Sequence, residues 1–208
     1  MKVLLINGSP RKAGNTHIAL SEIAKTLTQE GIESEIVWIG NKPIRGCIAC
    51  GTCKNKNNGQ CVFDDDICNS ISAKFAESDG FIFGSPVYYG QPNGALLAIM
   101  QRAFFSNGAN VQNKPAAAVT ICRRGGATAA FEALQMPMQM MNMPIVTSQY
   151  WNIAYGREVG QAAADTEGMQ TMRTLAHNMA FMLRAIAAEK AKSGLPEREE
   201  WQPMHFIR

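Results

Sequence analysis

A short apolar run, Val3 to Ile6, breaks at once into Asn7-Gly8-Ser9-Pro10-Arg11 and Ala13-Gly14-Asn15-Thr16, and a helical pattern follows. A strand that ends in a loop rich in Gly, Ser, Thr and Arg, directly ahead of a helix, is suited to hold an anion. The helix start presents unpaired backbone N–H groups and the positive end of its dipole. The hydroxyls of Ser9 and Thr16 and the charge of Arg11 add donors, and no Asp or Glu precedes Glu22. The ligand this predicts is a phosphate-bearing cofactor. The spacing is neither that of a nucleoside-triphosphate loop, Gly-x-x-x-x-Gly-Lys-Ser/Thr, nor the Gly-x-Gly-x-x-Gly of a dinucleotide site. A tight turn alone would need the glycines and Pro10, but not Ser, Arg, Asn and Thr together.

The rest of the chain predicts a framework for that loop. Its 208 residues suffice for one full core, read as one domain over residues 1–194 with a tail at 195–208. Strands and helices alternate, the pattern of a parallel sheet covered on both faces. Strands are expected at Lys2–Asn7, Glu33–Ile39, Gly80–Gly84, Pro115–Cys122 and Pro144–Tyr150. Helices are expected near Asn15–Glu30, Asp65–Ser78, Asn93–Phe105, Ala127–Met141 and Glu167–Lys192. Five such strands predict an α/β, flavodoxin-like three-layer sandwich in the order 2-1-3-4-5, with a cysteine-bearing loop inserted at about 40–64. The tail, Leu195 to Arg208, is irregular and is expected to dock on a partner subunit.

Composition removes several classes of function. A net charge of +3 is too small to argue for nucleic acid or a membrane surface, and no apolar stretch is long enough for a transmembrane helix. Met1-Lys2 leads straight into the first strand, with no secretory segment, so a cytoplasmic protein is expected. There six cysteines read as thiols or metal ligands before disulfides. No Ser/His/Asp or paired-carboxylate arrangement is legible, which leaves hydrolysis without support and the set of catalytic side chains empty.

In an open parallel sheet, ligands sit beyond the carboxyl ends of the strands, near the point where strand order reverses. Three loops leave strands there. The first is the phosphate loop. The second, Ser85-Pro86-Val87-Tyr88-Tyr89-Gly90, combines exposed backbone with two aromatics and suits the face and edge of a flat conjugated ring; ordinary packing accounts for the tyrosines equally well. The third, Thr120-Ile121-Cys122-Arg123-Arg124-Gly125-Gly126, offers two cations and two glycines to an electron-rich ring edge such as that of an anionic reduced flavin, although a solvated turn would look the same.

Asn7-Gly-Ser-Pro-Arg-x-x-Gly-Asn-Thr16 together with Gly84-Ser-Pro-Val-Tyr-Tyr-Gly90 resembles the NAD(P)H-dependent FMN reductase family of flavodoxin-like proteins, over almost the whole chain. The resemblance implies that Ser9, Arg11, Asn15 and Thr16 hold the FMN phosphate. It implies that Pro86, Val87, Tyr88 and Tyr89, with Gly90 closing the motif, contact the isoalloxazine. The loop of Arg123, Gly125 and Gly126 would border its pyrimidine side. It implies an oxidoreductase that takes hydride from NAD(P)H and passes electrons to a small-molecule or protein acceptor, built as a homodimer or homotetramer. One departure stands out. Many relatives carry Lys-x-x-x-Asp-Arg where this chain reads Leu97-Ala-Ile-Met-Gln-Arg102, so the acidic neighbour of Arg102 is missing.

Cys47-x-x-Cys50-x-x-Cys53, followed by Cys61, is the second unusual feature. Three thiolates at that spacing wrap one face of a [4Fe–4S] cubane from a tight loop, and Cys61 would complete the set. Structural zinc usually draws on two separated Cys pairs and fits less well. The loop resembles the compact cysteine motif of iron–sulfur flavoproteins, a branch of the same family; a loop of free or oxidised thiols beside a lone flavin is the alternative. Cys68 and Cys122 read as small buried apolar residues. Met136–Met143 reads as core or subunit interface, or as a soft surface over a ligand. Tyr150–Gly156 reads as hydrophobic packing or as the wall of a neighbouring subunit's flavin pocket. A flavodoxin-like electron carrier and a thiol-based redox sensor remain as rival functions.

Overall fold

The computed structural model describes residues 1–204. Five parallel strands form its centre: β1 (Lys2–Asn7), β2 (Glu33–Trp38), β3 (Gly80–Tyr88), β5 (Ala116–Cys122) and β6 (Ile153–Tyr155), in the order β2-β1-β3-β5-β6. The two-residue β4 (Gln91–Pro92) pairs antiparallel with the end of β3. This is the flavodoxin-like order expected from the alternation of elements.

Period-two alternation decides which side chain meets which layer. Val3 and Leu5 of β1 face α1 (Asn15–Gln29) and α6 (Thr166–Ser193), packing with Leu20, Ile23, Met172 and Leu175. Leu4 and Ile6 face the other way, into a cluster with Phe81, Phe83, Phe104 and Leu134. That second layer holds α3 (Cys68–Ala73), α4 (Gly94–Asn107) and α5 (Ala127–Met140). The chain passes from β1 to β2 on one side of the sheet and returns to β3 on the other, so strand order reverses beside β1 and opens a crevice there.

Three expectations are corrected. The fifth parallel strand is Ile153–Tyr155, not Pro144–Tyr150, which touches β5 only through one bridge, Ile145 to Ala116. Ile153 then pairs with Thr120, so eight residues on this side match four on β5 and the excess loops out. Asn152 closes the gap. Its buried amide donates to Ala118 O at 3.1 Å and accepts from Ser148 Oγ at 2.7 Å, standing in for the interrupted ladder. The helix expected at Asp65–Ser78 shrinks to Cys68–Ala73. At its start the Asp66 carboxylate is drawn to Arg102, and past its end Phe75 O is taken by Lys114 Nζ at 2.8 Å. The third strand runs on to Tyr88 because it turns into a hairpin with β4. In addition, the cysteine loop contains a short helix, α2 (Thr52–Lys56). The tail is exposed and irregular through Met204, and its last four residues lie outside those described.

Candidate functional site

The first loop is fixed by its own side chains. Asn7, fully buried at the end of β1, accepts from Ser9 N at 3.1 Å and donates to Lys12 O at 3.1 Å. Ser9 Oγ accepts from Arg11 N at 3.1 Å, which leaves its own hydroxyl proton free to be donated. Two residues without a sequence signal hold the loop from outside: Trp38 Nε1 donates to Ser9 O at 2.7 Å and Asn93 Nδ2 to Gly8 O at 2.6 Å. Asn93 also caps α4 by accepting from Ala95 N.

α1 then begins without a cap. Gly14 stands at the N-cap, no side chain bonds the first-turn amides, and the first turn holds no acidic residue. These donors and the positive end of the dipole open into a cavity of about 220 Å³. Ser9, Arg11 and Thr16 line one side of it; Pro86, Val87, Tyr88 and Arg123 line the other. Ser9 and Thr16 are nearly buried. Arg157, two residues past β6, joins Arg11 and Arg123, giving three guanidinium groups around one crevice. Among the described residues, Arg157 alone of the three has an acidic partner, the exposed Glu158 at 3.1 Å. Arg157 carries no local sequence signal, because its place depends on where β6 lies.

Other expected residues sit differently. The Asn15 side chain is engaged by Glu158 O, Gly160 N and Ala162 N, so it holds the loop after β6 and offers the cavity its backbone amide. Tyr89 stands wholly exposed at the hairpin tip with φ 52°, followed by Gly90 at φ 76°. Positive φ at both central positions is the mark of a type I′ hairpin turn, and this turn aims Tyr89 away from the cavity that Tyr88 lines. Gly125 and Gly126 border a neighbouring cavity of about 380 Å³, walled by Tyr150, Trp151, Tyr155 and the start of α6. Asp165 shapes that wall by accepting from Tyr155 N at 2.7 Å and Gly168 N at 2.9 Å. Burial raises the Cys122 thiol above its ordinary range, so it remains a neutral packing residue.

Cys47, Cys50, Cys53 and Cys61 line one small hollow, together with Phe63, Arg102 and Phe105. Cys53 is buried on α2, Cys61 is half-buried, and Cys47 and Cys50 are exposed. Among the described residues, no three His, Cys, Asp or Glu side chains are already gathered as a metal centre. The donor chemistry nevertheless fits a thiophilic group: four thiols face the hollow and no carboxylate lines it. The Thr52 hydroxyl and amide hold the Cys50 thiol below its ordinary pKa and favour the thiolate that a metal needs. Cys68, one wall away, is pushed up to about 12 by burial and stays a packing thiol.

A family model described as NADPH-dependent FMN reductase matches residues 1–158. The chain belongs to this FMN reductase family. It falls in the iron–sulfur flavoprotein branch. An iron–sulfur flavoprotein of Methanocaldococcus jannaschii is 32% identical over 194 residues, covering 89% of this chain and 99% of that relative. One from Methanosarcina thermophila is 30% identical over 198 residues, covering 92% and 100%. Among solved structures, RosB with a bound flavin-phosphate intermediate superposes with a TM-score of 0.70 at 15% identity, over 100% of this chain and 92% of that one. An archaeal flavodoxin gives 0.59 at 14% identity, over 88% and 99%. These two likenesses establish the flavodoxin-like fold of this family member. No helix among its described residues is long and apolar enough to cross a membrane.

Proposed function

We propose that this protein binds FMN in the crevice at the ends of β1, β3 and β5 and works as an oxidoreductase. It would take hydride from NADPH or NADH and deliver electrons to a small-molecule or protein acceptor. The observation that carries this reading is the uncapped start of α1 opening beside Ser9, Arg11 and Thr16. Hydroxyl donors, backbone amides and a guanidinium converge there, the donor set a phosphate monoester requires. FMN supplies hydride acceptance and electron release; the protein supplies binding, orientation and charge. Pro86, Val87, Tyr88 and Arg123 line the crevice, where their backbone would offer edge groups to the ring and the guanidinium a cation. No side chain is assigned as a catalytic acid or base.

The four thiols facing one hollow support a [4Fe–4S] cluster on Cys47, Cys50, Cys53 and Cys61 as the second redox group. Exposed Tyr88, Phe105, Met136, Met140 and Trp151 fit a homodimer or homotetramer, and six free cysteines fit a reducing cytoplasmic setting. The test is anaerobic purification followed by rapid mixing with NADPH or NADH. Flavin absorption that bleaches on a catalytic timescale supports the enzyme, and about four irons and four sulfides per chain support the cluster. The second reading is an electron carrier, favoured by the iron–sulfur flavoprotein relatives. Flavin that stays oxidised with both nucleotides but is reduced by a protein donor would select it.

A further inference from the structure

Arg102 of α4 is 1% exposed and is the largest fully buried side chain described. A buried cation requires compensation for every donor it takes out of water. Arg102 finds that compensation in the cysteine loop and the segment just beyond it. One terminal nitrogen pairs with the Asp66 carboxylate and reaches Arg45 O at 3.2 Å; the other donates to Phe63 O at 2.9 Å. Nε donates to Cys61 Sγ at 3.3 Å. The Phe63 ring lies against the guanidinium at 5.6 Å. Arg45 stands just before the first thiol of the motif, while Cys61 and Phe63 stand at its last, so one side chain fixes both arms of the loop. The acidic partner that the helix lacks at position 101 is supplied by Asp66, which stands just ahead of α3.

Among the described residues that line the hollow, Arg102 carries the one formal charge. It also connects the two sites. Asn93 caps the start of α4 and holds Gly8 of the phosphate loop, while Arg102 lies about 14 Å further along the same helix.

We propose that Arg102 is the positioning residue of the cysteine loop: it holds Cys61 in place and, by its sulfur hydrogen bond and its charge, sets the reduction potential of the cluster. The proposal rests on the cluster reading above. An electron added to an iron–sulfur cluster increases its negative charge, so a nearby cation and N–H···S bonds stabilise the reduced form and raise the potential. The Asp66 carboxylate acts with the opposite sign.

The test compares wild-type protein with Arg102→Lys, Arg102→Gln and Asp66→Asn, all purified anaerobically. Dithionite titration reads the cluster midpoint by EPR and the flavin midpoint by visible absorption, with iron and FMN counted per chain. At the cluster one electron arrives from dithionite and no bond forms or breaks. Arg102→Gln is expected to lower the cluster's reduction equilibrium constant at least tenfold, about 59 mV for one electron. Arg102→Lys, which keeps the charge but loses the directed bond, shifts less in the same direction. Asp66→Asn shifts the opposite way, and the flavin midpoint and FMN content stay unchanged in all three. If Arg102→Gln fails to retain iron, the opposed shifts of the other two decide. Four irons and one common midpoint in every variant would overturn the proposal and leave the cluster reading intact. Loss of FMN together with iron in all three would reduce Arg102 to a folding role and overturn it as well. Background iron in wild-type protein carrying full FMN would overturn the cluster reading and the proposal together.

Discussion

Gly90 and Gly126 are in contact: a Cβ built on Gly126 would stand 2.7 Å from the Cα of Gly90. The two glycines join the tip of the β3–β4 hairpin to the start of α5, so the second and third loops of the site are braced against each other. Gly126 also has φ 82°, a conformation an L side chain adopts at a cost of about 1–2 kcal/mol. Gly126→Ala is therefore expected to destabilise the fold by at least that amount and to weaken FMN binding as the loops separate. Gly125→Ala, with nothing within 4 Å of its Cβ, should be nearly neutral in the same urea melts and flavin titrations.

Thr16 lies almost buried at the first turn of α1, on the wall of the same cavity as Ser9 and Arg11. Thr16→Val keeps the shape and removes one donor. A hydrogen bond to a charged group contributes roughly 1.5–3 kcal/mol, so FMN should dissociate at least about tenfold more readily. Fluorescence titration of the apoprotein measures this, and an unchanged affinity would remove Thr16 from the phosphate site.

Asn152 spans the looped-out residues between Ile145 and β6 by donating to Ala118 O and accepting from Ser148 Oγ. Asn152→Ala leaves a buried carbonyl unpaired, which costs about 1–3 kcal/mol. The urea midpoint should fall with the slope unchanged. Ser148→Ala, with the Asn152–Ala118 bond intact, should cost less.

Glu35 on the edge strand β2 sits between Lys2 at 2.9 Å and Lys74 at 2.7 Å, and these two ammonium groups hold its carboxyl below the ordinary carboxylate range. It is more acidic folded than unfolded. Its stabilisation is thus present above the unfolded pKa and fades as pH falls through the lower folded value. The pairs are partly exposed and worth about 0.2–1 kcal/mol each before salt screening. Glu35→Gln should lower the urea midpoint at pH 7 but not at pH 2, and the difference at pH 7 should shrink in high salt.

Local chemistry carried most of the architecture. β1, α1 and the loop between them were legible because an apolar run, a glycine-rich break and a 3.6-residue period follow one another with no competing signal. Pro144–Tyr150 has strand composition, yet the last strand forms at Ile153–Tyr155, because β5, remote in sequence, sets the pairing and Asn152 bonds Ala118 O across the looped-out residues. The helix at 65–78 was overestimated because its periodicity could not register the pull of Arg102 on Asp66 or of Lys114 on Phe75 O. Tyr88 and Tyr89 looked equivalent as a pair, and a turn with two positive φ values then sent them in different directions.

A strand, a helix start and hydroxyl-bearing loop residues meeting at one sheet edge are legible in the sequence alone, since near neighbours in the chain decide each of those features. Tertiary structure alone decided that Asn15 braces a loop, that Arg157 joins the crevice, and that Arg102 reaches Cys61 from a different element. Those contacts join residues 41 to 147 positions apart, and such pairings exist only once the packed sheet has brought their elements together.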